Sequence, residues 1–502
     1  MTLRFINPDR CVTHLKQKVA NIFLDNFDAV AISDTDYGQT DLIKFKINLE
    51  KDAQIIKHKV KPLNPDQLAN LEKQIDAWKS TGVIEAAVSP WGFRLVPVMK
   101  KNGKTRWCCD YRQLNAQTIK DSYPLTNIQG NLEKLSGAKI FSTLDSCGAY
   151  HNVEIEEQSR DYTTFVSPLG SFRFKKLPFG VSNAPACYSR LVDLVLQKIP
   201  PKFALGYLDD ILTYSKGLEE HVEHLDIVVR LHAEVGMKLS LDKCEVCREE
   251  VVYLGHQVSS KGIQMVPEYI KRIKDWPRPT NVKELRTFLG FTSYYRSFLP
   301  EYSKLTYYMN GLKSVKEIGK PWKWSEQAEE EFNKIKKQFE SNPIRAYPDY
   351  TNGKPFIVTT DFSAKNVAAV LSQEQNGKER FIAACGRKTM KYESAYPSTK
   401  GELLALVVAL KSWEHILRYR PFKVVTDSRA LKFLKTLKDP RGIFLRWLEV
   451  IAGYNFDVTH KPGKLNKNAD SLSRSEHLPE PSEEDQRELD DYVAQLNTEN
   501  NE

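Results

Sequence analysis

Apolar residues along this chain recur at two spacings, and the changes of spacing mark its parts. From Pro65, DQLANLEKQIDAWKSTGVI reads as an amphipathic helix ending at Gly82. FRLVPVMK and RWCCDYR flank Asn102-Gly103, a pattern that predicts a β-hairpin. Near residue 140, KIFSTLD reads as a strand that ends in an acid. ALGYLDDILTYS places two aspartates between two apolar runs, which predicts a tight hairpin lifting Asp209 and Asp210 to a turn. After Gly262 the pattern becomes helical: Leu285, Phe288, Leu289, Tyr295, Phe298 and Leu299 fall on helical spacing. WKWSEQAEEEFNKIKKQF predicts another helix. Pro343 to Pro355 is punctuated by Pro, Asn and Gly and reads as a linker. Beyond it, PFIVTTDFS opens a strand-led unit with a long helix from about Thr399 and a strand in FKVVTDS. The first forty residues fit no element firmly, and the chain holds no internal repeat.

At 502 residues the chain is too long for one core and suits three or four subdomains. Charged residues are 27% and hydrophobic residues 41%, which excludes a disordered chain. The net charge of +9 hides an asymmetry. From Ser475 onward ten acids face one base, Arg487, so residues 1 to 474 carry +18. A basic body with an acidic tail suggests a polyanionic partner, although charge alone does not name one. Cys244 and Cys247 form the sole CxxC; no second pair follows at zinc-site spacing, so buried reduced thiols are expected. The longest apolar run, Leu403 to Leu410, is too short to span a bilayer, and no apolar leader segment is legible. No membrane partner is expected.

Acids at the ends of apolar runs are usually caps or solvated turns. They become interesting when several can converge, because paired divalent cations in phosphoryl chemistry need two or three carboxylates at one point. Asp145 at a strand end and Asp209-Asp210 at a turn could provide one such set. Asp361, Glu402, Asp427 and Asp470 could provide another. Glu402 has a competing role, since Thr399-Lys-Gly-Glu402 is a capping-box pattern in which the acid merely closes a helix start.

The flanking residues decide between these readings. YLDD (Tyr207 to Asp210) resembles the polymerase box of the reverse transcriptases of gypsy-type LTR retrotransposons, and more distantly those of retroviruses and plant pararetroviruses. FSTLDSCGAYHNVEI (141 to 155) resembles that family's first catalytic motif, and SPLGSFRFKKLPFGVSNAPACYSRLVD (167 to 193) its template- and nucleotide-binding stretch. The segment from Lys61 to Asn115 is similar to its fingers, YLGHQVSSKGI to its primer grip, and VKELRTFLGFTSYYRSFLPEYSKLT to its thumb. TTDFSA, KGELLALVVAL, TDSRAL and NADSLSR match its ribonuclease H pattern in order and context.

The resemblance implies an α+β right-hand polymerase (fingers, palm, thumb) followed by an α/β ribonuclease H-like domain. The expected division is an N-terminal segment over 1–40, fingers and palm over 41–255, thumb over 256–345, linker over 346–354, ribonuclease H over 355–475 and an acidic tail over 476–502. It makes Asp145, Asp209 and Asp210 one Mg²⁺-binding set and Asp361, Glu402, Asp427 and Asp470 the other, two ions per site, with Mn²⁺ as a substitute. Arg106 falls where the family contacts the incoming triphosphate, with Lys100 or Lys101 as looser candidates. Tyr150 matches the steric gate against a ribose 2′-OH, and Phe179 occupies the position that shapes the nucleotide pocket. His460 resembles a mobile His that aids product release. SCG (Ser146 to Gly148) departs from the family, and Cys147 reads as a tolerated substitution.

The implied partners are an RNA template, a DNA primer, their hybrid and dNTPs. Hybrid recognition is expected through backbone, 2′-OH and shape. Tyr294, Tyr295, Arg296 and Lys304 are expected on two faces, basic groups toward phosphates and aromatics toward the thumb core. No protease DTG or DSG and no integrase zinc set is present, so one segment of a polyprotein is expected, in a cytoplasmic virus-like particle. Monomer, homodimer and asymmetric dimer are left open. The opposing reading, an inactive nucleic-acid-binding descendant, is disfavoured because all seven acids are present.

Overall fold

The helix expected from Pro65 spans Pro65–Ser80 in the computed structural model, which describes residues 13–99, 105–124, 127–199, 203–300, 302–313, 322–427 and 443–460. Its start is a capping box: the Asn64 side chain accepts from the Gln67 N–H, and the Gln67 side chain accepts from the Asn64 N–H. The helix buries Leu71, Ile75 and Trp78, with Trp78 edge-on to Phe165 and Phe174. Those two rings belong to a five-stranded sheet ordered Ile84–Ala86, Gly170–Phe174, Phe165–Ser167, Phe93–Met99, Thr105–Cys109. The predicted hairpin is present as an antiparallel pair with Leu95 opposite Cys109 and Met99 opposite Thr105. Its Asn102-Gly103 turn lies outside the described residues.

A four-stranded antiparallel sheet comes next, ordered Glu245–Arg248, Ile140–Asp145, Asp210–Ser215, Ala204–Tyr207. Helices Ala184–Leu196 and Leu218–Glu234 pack on it and bury Leu191, Val192, Leu225 and Val229. The N-terminal segment, unplaced from sequence, forms a helix over Thr13–Asp25 whose Val19, Ile22 and Phe23 are buried where it meets Leu218–Glu234. Among the described cysteines, Cys147, Cys187, Cys244 and Cys247 are buried and Cys108, Cys109 and Cys385 half-buried, all as free thiols. These elements fall in one of two compact units, Met1–Leu254 with Val258–Ser260; the other is Gly255–Gln257 with Lys261–Glu502.

The second unit departs from the expected pattern in two places. Gly262–Met265 is a strand, so helices begin only at Pro267–Lys274 and continue with Val282–Tyr294, Tyr307–Leu312 and Glu326–Glu340. A four-residue strand is too short for period to announce it. The segment read as a linker is also packed at its start. Arg345, Ala346 and Tyr347 are buried, and Arg345 exchanges backbone hydrogen bonds with Ile263. Its guanidinium donates to the Ile382 carbonyl at 2.8 Å and to the Ser297 hydroxyl at 3.0 Å. Pro, Asn and Gly mark where regular structure stops, but they carry no information about burial. The six apolar positions of 285 to 299 are all buried, although the helix ends at Tyr294 and Phe298 lies in a short 3-10 turn. Tyr295 is buried at 2% exposure, but Tyr294 is 46% exposed, so only one of the two rings packs into the core as expected.

A five-stranded sheet completes the unit: Lys378–Lys388, Asn366–Gln375 and Phe356–Ser363 run antiparallel, then Phe422–Thr426 and Phe456–His460 add in parallel. Helix Ser398–Ser412 lies on this sheet and buries residues 401 to 407 without interruption. That accounts for the absence of an amphipathic stripe in its sequence. No described helix is long and apolar enough to cross a membrane.

Two candidate carboxylate sites

The first site is built by strand register. Asp210 opens its strand directly opposite Asp145 on one side and Tyr207 on the other. The turn is therefore Leu208-Asp209, and Asp210 is a strand residue, a small correction to the expected DD turn. Leu208 adopts φ 52°, a left-handed conformation that a branched side chain rarely takes and that costs roughly 1–3 kcal/mol. That strain presents Asp209 at the tip. Burial against the sheet and the charges of Asp209 and Asp145 push the Asp210 carboxyl up to about 6, with Lys243 opposing. Lys243 ends a 3-10 turn, Leu241–Lys243, and its ammonium lies 2.8 Å from Asp145 Oδ1. Nothing in the sequence singled it out, because the contact joins residues 98 positions apart.

Beside the acids lies a ring cluster. The Tyr150 ring meets Phe179 at 5.0 Å and Tyr188 at 5.6 Å between centroids. Arg106 places its guanidinium 5.1 Å from the Phe179 centroid. Burial raises the Tyr150 hydroxyl, and the Asp209 charge raises it further, so gate candidate and acid share one electrostatic neighbourhood. Arg106, Phe179 and Lys243 line one cavity of about 250 Å³. The structure thus brings together Asp145, Asp209, Asp210, Arg106, Tyr150 and Phe179. Lys100 and Lys101 lie outside the described residues.

The second site is built by burial. Parallel strands Phe356–Ser363 and Phe422–Thr426 pair Val358 with Val424 and Thr359 with Val425, which carries Asp361 and Asp427 to the same end of the sheet. Glu402 reaches them from helix Ser398–Ser412. The capping-box alternative fails: the helix begins at Ser398 after Pro397, one residue before Thr399, with no side-chain cap. Glu402 Oε2 instead accepts from the Thr360 hydroxyl at 2.8 Å and the Thr426 hydroxyl at 3.1 Å. Gly401 allows this approach, since a Cβ there would fall 2.0 Å from the Phe362 ring. Burial first, then the charges of Asp427 and Asp361, push Glu402 up to about 8, with the two hydroxyls opposing. His460 stands opposite Thr426, its Nε2 3.0 Å from the Asp427 carbonyl. Asp470 lies outside the described residues. Thr360 and Thr426 were missed, though each directly precedes a candidate aspartate, Asp361 and Asp427, which is a readable signal.

Among the described residues no three His, Cys, Asp or Glu side chains already close around a point as a finished metal cage would. The charge pattern still fits a cation at each site. Three acids crowd the first, where an ammonium already sits on one of them, and burial with the charges of Asp427 and Asp361 raises Glu402 in the second.

Fold and sites together define an α+β right-hand polymerase followed by an α/β ribonuclease H-like domain. The chain carries two domains that match reverse-transcriptase families. Residues 98–258 match the family described as reverse transcriptase (RNA-dependent DNA polymerase), and residues 351–454 match the RNase H-like domain found in reverse transcriptase. Its relatives include the retrovirus-related Pol polyprotein from transposon 297 of Drosophila melanogaster, 35% identical over 87% of this chain and 41% of that protein. The transposon Tf2-3 polyprotein of Schizosaccharomyces pombe is 30% identical over 88% of this chain and 34% of that protein. The gypsy-like resemblance thus holds, and the chain spans about two fifths or less of these relatives' length. A foamy viral protease-reverse transcriptase solved with double-stranded DNA shares the fold at TM-score 0.80 and 20% identity, over 96% of this chain and 84% of that one. A second, solved with an RNA/DNA hybrid, gives 0.77 and 20% over 96% and 66%.

Proposed function

We propose that this chain is a reverse transcriptase that extends a primer with dNTPs on RNA or DNA templates and cleaves the RNA strand of RNA–DNA hybrids. One observation carries the polymerase half: Asp145 and Asp210 in direct cross-strand register, with Asp209 at the adjoining tip and Arg106, Phe179 and Tyr150 alongside. Asp145, Asp209 and Asp210 would hold two Mg²⁺ ions; Asp361, Glu402, Asp427 and Asp470 would hold two more, with Mn²⁺ able to substitute. Bound there, the ions supply Lewis-acid activation of the attacking oxygen and neutralise charge on the leaving group.

The remaining tasks fall to side chains. Arg106 offers a planar fork to triphosphate oxygens. Tyr150, fixed between Phe179 and Tyr188, excludes a ribose 2′-OH by occupying its space. Lys243 balances one acid of the first set. In the second, Thr360 and Thr426 orient Glu402 toward the aspartates, and His460 at the strand edge releases product. Lys100 and Lys101 add phosphate contacts. Fingers and palm over 41–255, thumb over 256–345 and ribonuclease H over 355–475 form the working division, in a virus-like particle and as a monomer, homodimer or asymmetric dimer.

The test is Mg²⁺-dependent extension of a DNA primer on an RNA template, wild type beside Asp209→Asn, at equal duplex binding. Extension by wild type alone supports the reading. No extension by wild type despite tight duplex binding favours an inactive nucleic-acid-binding protein.

A further inference from the structure

The segment before the first strand is strapped across the nucleotide site. Leaving helix Thr13–Asp25, the chain pairs Val30 with Leu239, and the Ala31 N–H donates to the Leu239 carbonyl at 3.0 Å. The Asp36 carboxylate accepts from the Lys238 ammonium at 2.7 and 2.8 Å. One residue past Tyr37, the Gly38 carbonyl accepts from the Lys176 ammonium at 3.0 Å, and the Gln39 N–H donates to the Gly236 carbonyl at 2.7 Å. Tyr37 is thus pinned on both sides, and its ring has little freedom to choose another place.

That ring lies flush on Gly148, the third residue after Asp145. A Cβ at Gly148 would stand 2.3 Å from the ring, and Gly148 holds φ 56°. The ring also meets His151 edge-on at 4.9 Å. His151 in turn meets Phe179 at 5.5 Å, and Phe179 meets both Tyr150 and Arg106. His151 is buried, with its Nδ1 3.1 Å from the Leu177 carbonyl, and burial lowers it to about 4, so at neutral pH it is an uncharged ring within the stack. Tyr37 lines the same 250 Å³ cavity as Arg106 and Phe179.

We propose that Tyr37 is a positioning residue for nucleotide selection, holding Phe179 and the gate Tyr150 in place through His151 and Gly148. The proposal rests on the polymerase reading above. Tyr37 itself touches no nucleotide; it fixes the floor on which the nucleotide-contacting rings stand. Removing the ring opens a void behind His151, which lets Phe179 and Tyr150 spread, and the spread loosens both dNTP binding and exclusion of the 2′-OH. Aromatic pairs of this kind carry enough energy for effects of roughly threefold to tenfold. The hydroxyl contributes to none of these ring contacts.

The experiment measures kcat and KM for single dNTP and rNTP additions by wild type, Tyr37→Phe, Tyr37→Leu and Tyr37→Ala, with RNA cleavage by each preparation as a measure of intact protein. The expected result is a KM for dNTP raised about threefold to tenfold in Tyr37→Ala, with dNTP-over-rNTP preference falling by a similar factor. Tyr37→Phe should match wild type, and Tyr37→Leu should fall between if the alanine variant folds poorly. Combined with Phe179→Leu, the loss should be less than the product of the two single losses. A kcat that falls with the folded fraction while KM and sugar preference stay at wild-type values would overturn the proposal. A wild type that extends no primer would overturn both it and the polymerase reading, whereas active wild type with unaltered variants removes Tyr37 alone.

Discussion

The two carboxylate sets hold like charges together by partly different means. In the first, Asp209 stands exposed at a strained turn, Asp210 opens the next strand with its carboxyl pushed up to about 6, and an ammonium from Lys243 sits on Asp145. In the second, Glu402 is 2% and Asp361 7% exposed while Asp427 is open to solvent, and burial with the two aspartate charges pushes Glu402 up to about 8. The difference teaches that both sites answer repulsion with a raised carboxyl, and that the open one adds a borrowed cation while the closed one adds two hydroxyl donors. Under the proposed function, an open hairpin suits a site that must admit a primer end. A buried glutamate, oriented by two hydroxyls, suits a site that meets only a strand surface.

The comparison breaks most visibly if the two sets are not independent. Asp210→Asn should reduce primer extension by roughly 10³-fold, since a metal-held charge there is worth several kcal/mol, and leave RNA cleavage unchanged. Parallel loss of cleavage would show coupled sites.

A smaller effect concerns stability. Glu402 has a folded pKa of about 8 against an ordinary 4.5, so folding takes up a proton between those values. Stability contributed by the neutral carboxyl is therefore full below about pH 4.5 and is lost as pH rises through 8. Metal-free Glu402→Gln should be more stable than wild type at pH 8 by about 1–3 kcal/mol and little different at pH 4.5, read from denaturant midpoints. An equal difference at both pH values would refute the shifted carboxyl.

Thr360→Val and Thr426→Val sharpen the same point. Each hydroxyl donates to the charged form of Glu402, so each loss should move its titration upward in metal-free protein, as followed by NMR, and slow RNA cleavage roughly threefold to tenfold. The corresponding serine variants should stay near wild type. The smallest effect belongs to Lys243→Ala. Its ammonium is 59% exposed, so stability should change by less than about 1 kcal/mol, while the Asp210 carboxyl titrates higher for want of an opposing charge. A downward shift would place the lysine elsewhere.

Legibility in the sequence depends on the distance over which each signal acts. Asp145, Asp209 and Asp361 announce themselves because an apolar run precedes each, although Asp361 proves to be buried inside its strand rather than exposed beyond it. Glu402 was legible as an acid but ambiguous in role, since Thr399 three residues earlier imitates a cap. Only the start of the helix at Ser398 settles that. Tyr37 and Lys243 left no trace, because their partners lie more than ninety positions away and polar or aromatic pairs of that kind have no period. The strand Gly262–Met265 and the buried Arg345 were lost for a related reason: each is specified by the other, through the Ile263–Arg345 backbone pairing, rather than by its own neighbours.

The central claim is that one chain carries two separate acid-built sites with different tasks. It is tested most directly by one reaction that reads both: a DNA primer on an end-labelled RNA template, with Mg²⁺ and dNTPs, for wild type, Asp209→Asn and Asp427→Asn. The account predicts that wild type extends and cleaves, that Asp209→Asn cleaves without extending, and that Asp427→Asn extends without cleaving. Loss of both activities in either variant, with the protein folded and bound to duplex, would contradict it.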